Sequence, residues 1–402
     1  MLRAMSTAIT SLGLHQSYMD VIADNLANAN TSGFKSSTVT FQDQFGQLLG
    51  AGSSPTADLG GINPTQIGLG VRLGSISRNF TQGTLKDTGR SLDMALQGDG
   101  FFIYQDGETR YYSRDGSLEL DSEGVLVNAS TGQRILGWMP NAAGVIDTGT
   151  GLSEISIPLD DALARATTEA LLGGNIDASA GISDTMQITI GAYDSLGDLQ
   201  TLSIEFEKTA DNEWDWTVTS GGSGTGTLTF NSDGSYDAVT ATQITITGAG
   251  GAANTVFDID FSDLTQLSTD DTVALVSQNG LAAGTISGFD VVSNTGEIYG
   301  LYSNGLQQLL GQISIASFVN PVGLNRVGQN MYTVGLNSGE PQVGEAGTGG
   351  RGTISSGYLE ASNVDLSKEF TNMILAQRGF QASSRIITTS DEMLQELVNL
   401  KR

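Results

Sequence analysis

The sequence predicts a multidomain α+β protein: paired long N- and C-terminal coiled-coil helices, a discontinuous mainly-β middle domain and an inserted all-β outer domain. Three observations carry that expectation. Apolar residues recur at heptad spacing at both ends, glycine turns punctuate short strands between them, and a block of alternating strands interrupts the β region.

The first helix comes from Leu2, Met5, Ile9, Leu12, Met19, Ala23 and Leu26, which follow one another at steps of three and four, broken only at Gln16. It dissolves into "NLANANTSGFK", where Gly33 is a candidate left-handed cap. At the other end Leu366, Met373, Phe380, Ile387 and Leu394 lie seven apart. The second row there is mixed: Ala376 and Leu397 are apolar, Ser383 and Ser390 are small and polar, and Phe370 lies just beside it. Asp365 is the expected N-cap, with Glu369 in an acidic first turn. At ~1.5 Å per residue the helices would span roughly 45 and 50 Å. Gly379, mid-helix, either permits close backbone approach or is merely tolerated.

A heptad pair ordinarily closes within one chain. Here the other face of the first helix carries Ser6, Thr7, Thr10, Ser11, Ser17, Asn25, Asn28 and Asn30 in place of a Lys/Glu mixture. Small uncharged polar groups are buried more readily than Lys or Glu, which suits packing against further copies; a solvent-exposed helix end is the plainer reading of the asparagines. The expected polymer interface is therefore Leu2, Met5, Ile9, Leu12, Met19, Asn25, Leu26, Asn28, Asn30, Leu366, Phe370, Met373, Phe380, Ile387, Leu394 and Leu397. The terminal helical domain is assigned to 1–35 plus 360–402.

Residues 36–70 are rich in glycine and weak in periodicity, and read as a linker. The β region of 71–148 plus 282–359 shows turns at Asp106-Gly107, Asp115-Gly116, Glu123-Gly124, Thr131-Gly132, Thr295-Gly296 and Asn304-Gly305. Between its halves, 149–281 holds runs such as "TLSIEFEK" and "WDWTVTS", whose alternation marks strands with one face in a core. An inserted domain of this kind usually points away from its host.

Composition closes off several functions. The 402 residues carry 44 acidic and 18 basic side chains, a net charge of −26, which disfavours nucleic acid. There is no cysteine and a single histidine, His15, so thiolate and imidazole constellations are unavailable and no cofactor or metal is expected. No apolar window is long enough to span a membrane, and the N-terminus lacks a secretory apolar core. Carboxylates at Asp211, Glu213 and Asp215, and at Asp258, Asp260 and Asp263, imitate glycosidase pairs or calcium ligands, but the first set alternates beside Trp214 and Trp216 as a solvated strand face does. "DSLGD" (194–198) and "NSDGS" (231–235) lack the spacing of an EF-hand. An enzyme is not expected. An adhesive outer domain is the second non-enzymatic class, and ligand binding by that domain would distinguish it.

Three blocks, "MDVIADNLANANTSGFKSS", "GDGFFIYQDGETRYYSRDGSLELDSEGVLVN" and "GYLEASNVDLSKEFTNMILAQRGFQ", resemble the axial proteins of the bacterial flagellum, in that family's order and at its positions. The middle of the chain matches no such block. "LEASNVDLSKE" and the block of strands at roughly 150–280 look more like the hook than the shorter distal rod proteins. Asp24 stands where the family usually has asparagine, and Lys401-Arg402 extend past the final leucine. The resemblance implies a helical homo-oligomeric tube with the terminal helices innermost. It also implies distal rod, hook cap and hook-filament junction proteins as partners, and export without a cleaved signal peptide through the flagellar type III apparatus to an extracellular location.

Overall fold

The computed structural model describes residues 2–56, 59–141 and 144–400, and of Leu2 and Leu397 the backbone alone. Lys401 and Arg402 lie outside the described residues. The chain is mostly β, with one long helix at each end, α1 (Leu2–Ala27) and α2 (Leu366–Asn399). It divides into two compact units. The first comprises Met1–Ile157, Val291–Ile298 and Leu309–Arg402, the second Pro158–Asp290 and Tyr299–Gln308.

In the first unit the strand Phe101–Asp106 turns through Gly107, at φ +61°, into Thr109–Ser113. The same strand pairs with Ile315–Ser317, with Ile315 opposite Phe102, so residues two hundred positions apart share one sheet. Phe101, Ile103, Tyr112, Leu136, Ala316, Leu324 and Tyr332 form its core. Phe80 and Phe318 close it edge-on, the Tyr112 and Phe318 ring centroids lying 4.9 Å apart. Asp115-Gly116 does not make the expected hairpin. Gly116 instead lies flat against the Met94 carbonyl and the Phe102 ring, where any side chain would collide.

Residues 36–70 are not a plain linker. Ser37–Asp43 (β1) pairs antiparallel with Val71–Arg78 (β4), and Gly46–Gly50 (β2) with Thr65–Gly68 (β3). The β-branched run "STVTF" supplies strand propensity, while a bulge between Thr40 and Phe41 breaks the period that sequence reading looks for. The Phe41 ring packs edge-on to Tyr18 of α1, at 5.7 Å between centroids.

The second unit contains two five-stranded sheets. One is a meander over 185–239; the other is built around Thr255–Leu267, whose side chains alternate between buried and exposed through most of its length. That strand pairs in parallel with Glu169–Asp177, the intervening meander forming the crossover. Leu202, Phe206, Trp214, Trp216, Phe257 and Phe261 lie in one buried core. The unit begins later than the sequence boundary at 149 and takes in strand Leu281–Val291. Its reason is hydrogen bonding: Ala162 pairs with Thr285, and the Asn304 amide donates to the carbonyls of Leu163 at 2.7 Å and Ala282 at 2.8 Å.

Candidate assembly interface

The two helices meet along small residues. Ser383 Oγ donates to Ser11 Oγ at 3.0 Å, and the His15 ring fills the space beside Gly379, so that a Cβ there would strike it. Close approach, rather than tolerance, explains this glycine. On α2 the buried positions are Glu369, Ala376, Ser383 and Ser390, the row that looks weaker in sequence. Met373, Phe380, Ile387 and Leu394 are half-buried, while Leu366 and Phe370 are exposed.

On α1 Ala8, Leu14, Ile22 and Asn25 are buried, and Ser11, His15 and Tyr18 are half-buried. Ala8, Ser11, Tyr18 and Asn25 each lie one residue before Ile9, Leu12, Met19 and Leu26 of the expected row, a rotation of about 100°. Met5, Leu12, Met19 and Leu26 are half-buried as well, and Ile9 is 53% exposed. Small residues, Ala8 and Ser11 on α1 facing Gly379 and Ser383 on α2, let the backbones approach. Leu2 and Leu397 have side chains outside the described residues.

Asparagines in the tail act within the chain. The buried Asn25 side chain accepts from Ser37 N at 2.9 Å and donates to Ser37 O at 2.8 Å, imitating one rung of a β-ladder. Within one chain the amide is already satisfied, and charge at this point would be costly. Asn28 donates to Asp24 O at 2.8 Å and closes the last turn of α1. Asn30 is exposed. Gly33 has φ +70° but caps no helix; its N–H donates to Glu360 O at 2.8 Å, and a Cβ would meet Asp115 N at 2.7 Å.

Where the chain leaves α1 and enters α2, a buried ionic cluster joins the two. Lys35 Nζ donates to Glu360 Oε1 at 2.6 Å and to Thr81 O at 2.8 Å, and Gly83 N donates to Glu360 Oε1 at 2.8 Å. Arg114 Nη1 lies 3.7 Å from Glu360 Oε2. Burial pushes the Lys35 ammonium below its ordinary pKa, against the pull of the Glu360 charge; burial likewise lowers Arg114. Asn363 extends the seam by accepting from Ser36 N and donating to the carbonyls of Asn79 and Thr81. Neither Lys35 nor Glu360 was singled out from sequence, although each is an isolated charge in a stretch of small polar residues.

In the second unit, Asp194 is buried and its Oδ1 accepts from the N–H groups of Leu196 and Asp198, so "DSLGD" closes its own turn. Among the described residues no three His, Cys, Asp or Glu side chains are grouped to hold a metal ion.

Four family models match the chain. They are Flagella basal body rod protein over 5–35, Flagellar hook protein FlgE/F/G D1 domain over 95–201, Flagellar basal body protein FlaE D2 domain over 158–281, and Flagellar basal body rod FlgEFG protein C-terminal over 355–400. The Flagellar hook protein FlgE of Borreliella burgdorferi is 36% identical over 442 aligned positions, covering 100% of both chains. That of Salmonella typhimurium is 35% identical over 421, covering 99% of this chain and 100% of the relative. The chain belongs to the flagellar hook protein family. Kinship extends to the rod: the Flagellar basal-body rod protein FlgG of Bacillus subtilis is 32% identical, with 100% of both chains covered. The D2 match starts at residue 158, where the second unit of this hook-family chain begins.

Proposed function

We propose that this structural hook subunit polymerises helically into a flexible curved tube, a universal joint transmitting torque from rod and motor to filament. The observation that carries this reading is the apolar surface that α2 leaves uncovered within one chain. Phe370, Ile374, Leu375, Ile386 and Met393 are all exposed, an arrangement a soluble helix avoids unless other copies cover it. Coiled-coil pairing of the termini, with Met5, Leu12, Met19, Leu26, Met373, Phe380, Ile387 and Leu394 along its flanks, supplies the inner layer. Non-closing heterologous contacts between copies then generate a tube.

The subunit acts in the extracellular hook, with the distal rod, hook cap and hook-filament junction proteins as neighbours, and reaches it through the type III apparatus without a cleaved peptide. Terminal helices that gain stability mainly from packing remain largely unfolded before assembly. It functions without catalysis or cofactor. Bending requires neighbouring copies to slide, and residues 36–70 contribute to this; deleting part of 50–62 leaves a secretable subunit whose hooks are straight or unstable.

Sedimentation and negative-stain microscopy of the purified full chain, beside one lacking 1–33 and 362–402, test the reading. Curved tubes from the first and monomers from the second support it. Tubes from the truncated chain would move the essential contacts to the β units. The similarity to the rod protein favours one second reading, a distal rod subunit, for which the tubes would be straight.

A further inference from the structure

The exposed charges of α2 are sorted by sign along the helix: Lys368, Arg378 and Arg385 come first, then Asp391, Glu392 and Glu396. Four of them share one side. Arg378, Arg385 and Glu392 follow at steps of seven, each two residues after a member of the buried line Ala376, Ser383 and Ser390. Two residues turn the helix by about 200°, so these side chains stand on the face away from that line. Glu396, one turn beyond Glu392, joins them.

This arrangement destabilises a lone helix. Carboxylates near a helix C-terminus meet the negative end of its dipole, the last turn holds no basic residue, and Glu392 and Glu396 are like charges four apart. Among the described residues none of the four is in an ion pair. Arg378 donates only to Gln381 Oε1, at a long 3.4 Å. A face divided into a cationic and an anionic half, both unpaired, is complementary to a displaced copy of itself.

We propose that the α2 helices of neighbouring copies lie side by side and parallel, displaced along their length so that Arg378 and Arg385 of one pair with Glu392 and Glu396 of a second copy. Level helices would set like charge beside like charge. Arg378 lies fourteen residues before Glu392, and Arg385 eleven before Glu396. The displacement is therefore about 16–21 Å, at ~1.5 Å per residue. Copies repeated by one screw operation turn the same face the same way, so the pairs cross between adjacent helices as cross-strand pairs do on one face of a sheet. Heptad-spaced charges beside an apolar contact set register and direction in coiled coils. Here Ile386 and Met393 supply that contact: both are exposed, one residue after Arg385 and Glu392, on the flank between the charged face and the buried line. The inference rests on the proposed polymer and gives its α2 face a partner and a register.

Two full-length variants test the pairing. Arg378→Glu with Arg385→Glu makes the face wholly acidic, and Glu392→Lys with Glu396→Lys makes it wholly basic; all four positions are exposed, and monomer unfolding at the native midpoints verifies the fold. Each variant alone should raise the critical concentration for tube assembly about tenfold or more, and an equimolar mixture should bring it back to within about threefold of the native value. A variant that assembles alone at the native concentration, or a mixture no better than its components, would overturn the pairing while leaving the hook function standing. Failure of the native chain to form tubes would overturn both. The displacement is read separately. Because the chain has no cysteine, Gln381→Cys and Gln395→Cys each give one thiol, at exposed positions fourteen residues apart. In mixed tubes a short bismaleimide should join the two variants to each other rather than to themselves. Dominant cross-linking of the Gln381→Cys chain to itself would place the helices level and contradict the displacement.

Discussion

The helix pair and the second unit bury different chemistry. In the second unit Trp214, Trp216, Phe206 and Phe261 meet inside one chain, and the core is complete without help. On the two helices the buried side chains include Ala8, Ala376, Ser383 and Ser390 beside Leu14 and Ile22, with Gly379 under the His15 ring, while Phe370, Ile374 and Met393 are exposed. A large apolar residue inside closes a domain; the same residue outside a line of small ones leaves a domain open to other copies. On the proposed function, assembly belongs to the termini, while the second unit's core is complete within one chain.

The sharpest way to break this comparison is to damage each region separately. Trp214→Ala should cost the second unit about 3–5 kcal/mol. Glu360→Gln, which strands the buried Lys35 and Arg114, should cost the first unit a similar ~3–5 kcal/mol. Calorimetry should show each variant lowering a different transition; if both lowered both, the units would not be independent. Asn25→Leu removes two hydrogen bonds to the Ser37 backbone and leaves its buried groups unpaired, costing the first unit about 1–3 kcal/mol, read as a lower denaturant midpoint. An unchanged midpoint would return Asn25 to an intersubunit role.

Gly379→Ala tests the close approach of the helices. The added methyl displaces the His15 ring at about 1–3 kcal/mol, read as a lower temperature of depolymerisation, with the second unit's unfolding unaltered. The smallest effect is one of pH. Burial raises the Asp115 carboxyl above its ordinary value, so the folded chain holds this proton to higher pH than the unfolded one. Its contribution to stability therefore grows as pH falls through the raised pKa and shrinks as pH rises. Asp115→Asn should gain on the native chain in thermal unfolding as pH is taken from 4 to 7; a constant difference would contradict the shift.

Much of the plan was legible because its signals are local. Asp365 caps α2 as expected, accepting from Ser367 N at 2.9 Å and Lys368 N at 3.1 Å, and Gly107 makes its hairpin. The family blocks at both ends gave the kinship. What stayed hidden depends on partners distant in sequence. Which of two adjacent heptad rows packs inward on α1 is decided by Gly379 and Ser383, more than 350 residues away. Glu360 reads as surface charge until Lys35 is placed against it. Leu281–Val291 joins the second unit because Ala162 and Asn304 bind it, which no periodicity records.

The central claim is that the outward apolar face of α2 holds copies together. Phe370→Ser combined with Ile374→Ser changes only exposed side chains of that face, so sedimentation of this variant beside the native chain measures the claim directly. Native tubes, with a variant that remains monomeric and unfolds at the native midpoints, are the predicted result. Tubes from the variant at the native critical concentration would contradict it.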